Sequence, residues 1–391
     1  MSVSRRKKIV LLGMMTKIPV AGAVWGTLHY LLGFQRLGFE PYYIECHART
    51  PSMFMQSATD DSSALAAKFI DRVMKKFDLE HNWSFHALHD DGRYYGMSES
   101  QVKELYREAD AIVNYHGGTV PIPEHYQTNR LVYLETDPVE MEIELANGDV
   151  DTVEFLKPHC AFYTWGLNYY RPDCRVPMHD LFPFKIMPPA VVCDLWEPFA
   201  QPGGRAFTTI GNWRQPWRDV VFRGDVYHWS KHFEFLKFLD LPKSTPQEFE
   251  LGLASFEPED QKMLEDHGWQ ITPAVDFSWD LDKYRDYIGR SRGEFTVAKD
   301  QNIRLRSGWF SERSAQYLAA GKPVITQETG FSNVLPTGEG LFGFSTTEEI
   351  LNAVEQINAD YDRHRRGAAK LAREMFNYDV VLPIIIQDLN L

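Results

Sequence analysis

Cysteine is scarce. The 391 residues hold four, Cys46, Cys160, Cys174 and Cys193, and none of them forms a C-x-x-C pair. That excludes a disulfide framework and a thiolate zinc site, and it reads as the scattered reduced thiols of a cytoplasmic protein. Long apolar runs are missing too. None reaches the roughly 18–20 residues that a membrane-spanning helix needs. Positive charge is in deficit, with 41 Lys and Arg against 54 Asp and Glu and a net charge of −13. A chain so acidic is not expected to bind nucleic acid, which needs a basic surface. The G-x-G-x-x-G dinucleotide fingerprint is absent from the irregular loop Met14 to Ala23. No His/Cys cluster suggests a metal. A D-x-D triplet that mimics a metal site, Asp280-Leu281-Asp282, stands where a helix begins, so capping explains it.

Apolar residues make up 44% and aromatics 14%, ample for large cores. A chain of this length divides naturally into two α/β domains. Near the N-terminus, Arg5-Arg6-Lys7-Lys8 followed by Ile9 to Met15 imitates a signal peptide, but Lys17 and Pro19 interrupt it. A buried first strand, Ile9 to Gly13, explains the same residues. Beyond it, strand and helix alternate. A helix is expected over Trp25 to Leu37, a strand over Glu40 to Glu45 and a helix over Ser62 to Phe77. Buried-strand runs follow at Ala111 to Tyr115 and Leu131 to Leu134. Such alternation predicts doubly wound sheets with ligands outside the strand C-terminal ends.

The most informative stretch runs from Ser307 to Phe331. Ser311 is a good N-cap, and Ala315, Leu318 and Ala319 follow at helical spacing. Gly321 stops the helix, and Pro323 opens the strand Val324-Ile325-Thr326. Thr329-Gly330 closes that strand with a turn. The free N–H groups and the dipole at Ser311, Glu312, Arg313 and Ser314 suit an anion such as a diphosphate. Arg313 can add a charge-assisted bond. On these residues alone, an ordinary helix–strand connection is the better description.

The stretch resembles the signature segment of the nucleotide-sugar-binding domain of GT-B glycosyltransferases. The resemblance rests on Ala319-Ala320-Gly321-Lys322-Pro323-Val324-Ile325 and Thr329-Gly330. It continues through Gly338-Glu339-Gly340-Leu341 and the helix opening Thr347-Glu348-Glu349-Ile350. It is closest to members of the spore-maturation-protein type. The expectations that follow are a GT-B fold and two Rossmann-like domains facing a cleft. Residues 1–186 would take the acceptor, and residues 187–370 would take a nucleotide diphosphate sugar. Residues 371–391 would pack back on the first domain. The co-substrate would be the nucleotide sugar, with no separate cofactor and no metal.

Candidate residues follow from strand ends and from the resemblance. His116, with Gly117 and Gly118 after it, ends one buried strand and can act as base or hydroxyl ligand. A loop histidine bonded to backbone is the plainer reading. Glu135 and Asp137 end the next strand, and either carboxylate can polarise an acceptor hydroxyl. Asp137-Pro138 is also simply a natural turn. Gly22 lies in the loop that the family places in its acceptor cleft. His29 is already within the helix and packs or faces solvent. The resemblance makes Arg214, after the strand Ala206 to Ile210, a candidate for the donor diphosphate, with Lys231 the weaker one. Ser311, Glu312, Arg313, Ser314, Gln316 and Gly330 complete the donor set. Retaining members usually carry two glutamates, at positions where this chain has Gly308 and Gln316. Glu312 lies one turn before Gln316 and can take over a sugar contact. The anomeric outcome is left open. The reading is a glycosyltransferase acting on a hydroxyl-bearing acceptor. The alternatives are a nucleotide-sugar epimerase of the same fold and a non-catalytic nucleotide-sugar binder.

Overall fold

The computed structural model describes residues 5–46 and 50–391. The first sheet is built from β1 (Lys8–Leu12), β2 (Glu40–Cys46), β3 (Trp83–His86), β4 (Tyr94–Gly96), β5 (Ala111–Tyr115), β6 (Leu131–Glu135), β7 (Ala161–Thr164) and β8 (Phe184–Ile186). Their spatial order is β4-β3-β2-β1-β5-β6-β7-β8. Only the β3–β4 pair is antiparallel. Strand β1 lies at the centre between β2 and β5, and Ile9 to Leu12 are at most 1% exposed. A strand covered on both faces reads as an unbroken apolar run. That is why Ile9 to Leu12 imitates a signal peptide.

The helix Ala21–Arg36 starts four residues earlier than the sequence suggests. Almost every residue from Ala21 to Phe34 is buried, on all sides of the helix. Helices apolar all round lie inside a protein rather than on it. Two glycines make this burial possible. A Cβ on Gly26 would meet Glu312 Oε2 at 2.5 Å, and one on Gly33 would meet Leu382 Cδ1 at 2.6 Å. His29 is part of this interior. Val192 N–H donates to its Nδ1 (3.1 Å), and burial pushes its pKa down to about 3.

The second sheet contains β9 (Phe207–Asn212), β12 (Phe249–Ala254), β13 (Gln270–Pro273), β14 (Gly293–Thr296), β15 (Val324–Gln327) and β16 (Leu341–Phe344). Its order is β13-β12-β9-β14-β15-β16, parallel throughout. Between β9 and β12 an antiparallel hairpin, β10 (Val220–Phe222) and β11 (Asp225–Tyr227), leaves this sheet. Its Phe222 and Tyr227 join the core cluster of Tyr133, Phe162 and Phe184 in the first domain. That hairpin, β7, β8 and the helices Glu140–Ala146 and Val150–Leu156 carry no signal in the sequence reading. Each is seven residues or shorter, below the length at which periodicity separates helix from strand.

The helix Tyr361–Met375 contains residue 370, so the chain returns to the first domain only after this helix. Directly after it Val191 N–H donates to Phe376 O (2.7 Å) and Tyr378 N–H to Val191 O (2.9 Å), just beyond the first domain's boundary at residue 186. Further on, Tyr163 O–H donates to Asp388 Oδ2 at 2.6 Å. Among the described residues no helix is long and apolar enough to cross a membrane.

Candidate functional site

Parallel strands place their loops, and the polar residues those loops carry, at one edge of a sheet. The two sheets turn these edges toward each other, and two cavities open between them. One, of about 570 Å³, lies against the ends of β9 (Ile210, Gly211, Asn212) and β12 (Ala254, Ser255). Its other wall is the start of the Ala21–Arg36 helix, including Gly22, and the start of the Glu312–Ala319 helix. The second, of about 550 Å³, lies at the ends of β5 and β6 and is lined by His116, Glu135, Thr136 and Asp137. Ile18 lines both cavities, so they adjoin.

The stretch from Ser307 to Phe331 forms the elements its residues imply. Ser311 Oγ accepts from Arg313 N–H (3.2 Å) and caps the helix Glu312–Ala319. Gly321 takes a left-handed φ of +62° after it, and β15 follows. Ser311, Glu312 and Arg313 line the first cavity. Ser314 and Gln316 do not. Ser314 is buried with its hydroxyl unpartnered, and Gln316 Oε1 accepts from Tyr284 O–H (3.0 Å) inside the domain. Gly330 is a joint rather than a ligand. Its φ is +99°, and a Cβ there would sit 2.6 Å from Asn168 Nδ2 of the first domain.

Both arginines differ from expectation. Arg214 turns away from the first cavity and grips Asp260 with two bonds, Nε–Oδ2 at 2.9 Å and Nη2–Oδ1 at 2.6 Å. Asp260 sits in the first turn of the helix Pro258–Asp266, where a carboxylate is already favoured. Arg313 is buried among partners of its own. It donates to Glu294 Oε1 (2.6 Å), Ile210 O (2.6 Å) and Thr296 Oγ1 (3.0 Å). Its charge reaches the cavity, but three of its five N–H donors are spent holding β9 and β14 to the helix.

Lys231, the weaker candidate in the sequence, is buried within electrostatic reach of Arg313, Lys299, Glu294 and Asp137. Its ammonium makes no hydrogen bond or ion pair among the described residues, and Nζ stands 5.1 Å from the centre of the Trp309 ring. Burial pushes its pKa well below the usual lysine range, and the cations of Arg313 and Lys299 push it further. An anion arriving here restores that charge. Glu312 complements it. Burial raises its carboxyl to about 8, and the charge of Asp137 adds to the rise. At neutral pH Glu312 therefore holds its proton and does not repel an anion. Tyr115 O–H reaches Glu312 Oε2 across the domains at 3.4 Å.

In the second cavity His116 has a φ of +62°, a strained region for a side-chain-bearing residue. Its Nδ1 is hydrogen-bonded to Thr136 Oγ1, and Nε2 is buried with no partner. Burial pushes its pKa down to about 4, so the ring is neutral at pH 7. Asp137 is ion-paired, Lys299 Nζ to Oδ1 at 2.6 Å. Burial raises its pKa, but the Lys299 ammonium outweighs this and holds the carboxylate ionised. Lys299 was not anticipated from the sequence. It stands three residues beyond β14, and position after a strand end was the available signal. Glu135 is 2% exposed; Thr164 O–H donates to Oε2, and Oε1 has no partner. The triplet at Asp280 is a cap, with Oδ1 accepting from Asp282 N–H and Lys283 N–H at 2.9 Å each. Among the described residues no group of three or more His, Cys, Asp or Glu is arranged to hold a metal ion.

Two Rossmann-like domains with parallel sheets facing a cleft define the GT-B fold, and solved structures of that fold superpose along the whole chain. An α-glucosyltransferase in complex with UDP and a 13-mer DNA matches with a TM-score of 0.61 at 10% identity, over 99% of this chain and 100% of that one. The Anabaena protein HepE in complex with UDP and glucose matches with a TM-score of 0.57 at 13% identity, over 99% and 100%. Sucrose-phosphate synthase from Thermosynechococcus elongatus matches with a TM-score of 0.54 at 10% identity, over 98% of each chain. No protein-family model matches the chain, and no curated protein does.

Proposed function

We propose that this chain transfers a sugar from a nucleoside diphosphate sugar, with uridine diphosphate as carrier, to a hydroxyl-bearing acceptor. The observation that carries the reading is the pairing of two adjoining cavities of opposite character. One holds a capped helix N-terminus and a protonated Glu312, with the buried Lys231 in electrostatic reach of Arg313. The other holds a neutral His116 beside an ionised Asp137. The complexes of two structural neighbours with UDP support the choice of carrier.

In the proposed reaction the bond between the anomeric carbon and the diphosphate oxygen breaks, and the diphosphate leaves with the electron pair. The N–H groups after Ser311 and the Lys231 charge stabilise it, as fixed dipoles in a closed site do best. The acceptor oxygen bonds to the anomeric carbon. In the tautomer whose Nδ1–H donates to Thr136, His116 Nε2 has a free lone pair and takes the acceptor proton. Asp137 holds Lys299 in place next to it. A separate polar cavity on the acceptor side favours transfer over epimerisation, which needs no second substrate. The net charge of −13 and the carboxylates of the second cavity favour a non-nucleic-acid acceptor, unlike the DNA bound by one neighbour.

Thermal unfolding with UDP, GDP and dTDP tests the donor side. A ligand at 100 times its Kd stabilises the folded state by about 2.7 kcal/mol. UDP is expected to raise Tm by several degrees. No shift with any of the three contradicts the proposal.

A further inference from the structure

Glu312 is the first residue of the helix Glu312–Ala319, so its own N–H has no carbonyl partner within the helix. Its side chain lines the first cavity. The N–H and the carboxyl of one residue thus border the place proposed for the diphosphate. An ionised carboxylate there would repel the ligand that the N–H attracts.

The packing around the carboxyl favours its neutral form. Oε2 faces the first domain, where Tyr115 O–H reaches it at 3.4 Å and a Cβ on Gly26 would meet it at 2.5 Å. Among the described residues no cation bonds to either oxygen. Arg313, next in the chain, directs its guanidinium to Glu294, Ile210 O and Thr296 instead. The other ionisable groups that face Glu312 are Asp137, which is an anion, and Tyr30, Tyr115 and Tyr284, which burial keeps protonated. A carboxyl enclosed beside a second carboxylate, with no cation bonded to it, keeps its proton, and a neutral carboxyl has one O–H to donate. That donor has somewhere to point. Glu135 and Glu142 form a carboxyl pair whose Oε1 atoms are sealed inside the first domain. Oε1 of Glu312 likewise has no partner among the described residues, but it is not sealed, and the side chain borders the cavity.

We propose that Glu312 is a donor-binding residue that meets the diphosphate as an acid, its carboxyl O–H donating to a diphosphate oxygen held at the helix N-terminus. The proposal rests on the nucleotide-sugar reading above and adds a hydrogen-bond donor to that site. An O–H facing an anionic oxygen makes a short, charge-assisted bond, roughly twice as strong as a neutral one. The bond strengthens as the link to the anomeric carbon breaks and the diphosphate takes the electron pair.

Calorimetric titration of UDP at pH 7, 8 and 9 tests it. Phosphate groups lose their second proton at about pH 6, so the diphosphate charge is constant across this range. The Glu312 carboxyl, with its pKa of about 8, ionises within it. Native affinity is therefore expected to fall about five- to tenfold from pH 7 to pH 9, with roughly half a proton taken up on binding near the midpoint. Glu312→Gln keeps a neutral donor, so its affinity at pH 7 is expected within about threefold of native and flat with pH. Lys231→Ala removes the other group near Arg313 whose pKa is strongly lowered. It is expected to bind more weakly yet keep the native fall with pH. A fall of native size in Glu312→Gln, no fall in the native protein, or its loss in Lys231→Ala overturns the proposal. So does clearly tighter binding by Glu312→Gln at pH 7, the mark of a carboxylate that repels the diphosphate. Failure of UDP to bind the native protein at any pH instead removes the donor reading beneath it.

Discussion

The two cavities are built by different means. The first has walls from both domains, but its anion-binding helix N-terminus comes from one continuous segment, in which the cap at Ser311, the helix after it, the stop at Gly321 and the strand β15 follow each other directly. The second is assembled from distant pieces. His116 follows β5, Glu135 ends β6 and Asp137 follows it, Lys299 follows β14 of the other domain, and Arg218 arrives on the segment before the hairpin. Contiguous anion sites rest on backbone geometry, which sequence spacing encodes. Side-chain constellations rest on which loops the fold brings together. On the proposed reading, the first cavity therefore binds and the second discriminates.

The largest expected effect separates the two jobs. His116→Ala should lower turnover by about 10²–10⁴-fold, the usual cost of a lost general base. Its UDP affinity, read by calorimetry, should stay at the native value. Equal losses of both would make the two cavities one functional unit.

Lys231→Ala should do the reverse. Removing the unpaired ammonium is expected to weaken UDP binding by about 10–100-fold, the worth of a hydrogen bond to a charged group. Acceptor binding should change little. An undiminished UDP affinity would return the diphosphate to Arg313 and the helix N-terminus alone.

A pH effect of middling size distinguishes Glu312 from its neighbours. Its folded pKa, about 8, lies above the ordinary 4.5, so the folded state keeps a proton that the unfolded chain releases. Its contribution is thus fully present below pH 4.5 and is lost as pH rises through 8. Glu312→Gln should flatten the fall of Tm between pH 5 and 9, in about the range those values span. A parallel fall in both proteins would assign the pH dependence to other groups.

The smallest effect concerns Arg214. Its side chain is 47% exposed, so breaking its pair with Asp260 should cost at most about 1 kcal/mol of stability. UDP affinity in Arg214→Ala should be native. A tenfold loss would mean that the arginine leaves Asp260 when nucleotide binds.

The same contrast explains what could be read beforehand. The strands β1, β5 and β6 were legible because each is a largely apolar, buried run, and β2, β9 and β15 because short β-branched or aromatic runs stand between turn residues. So was the cap-to-stop grammar of Ser311 and Gly321, and the capping role of Asp280. Arg214 was misjudged because position after a strand does not say which way a long side chain turns. Here Asp260, 46 residues on, attracts it. Gln316 was misjudged for a similar reason. One turn along a helix from Glu312 gave the right face for a cleft, but Tyr284 from another helix already occupies Gln316. Lys299 and the Glu135–Glu142 pair were invisible as partners, since their meaning depends on contacts between elements, not on spacing within one.

The central claim is that nucleotide binding and acceptor chemistry reside in separate cavities. Titration of UDP into the native protein, Lys231→Ala and His116→Ala under one set of conditions tests it most directly. The account predicts native affinity for His116→Ala and affinity about 10–100-fold weaker for Lys231→Ala. Native affinity in Lys231→Ala together with weakened affinity in His116→Ala would contradict it.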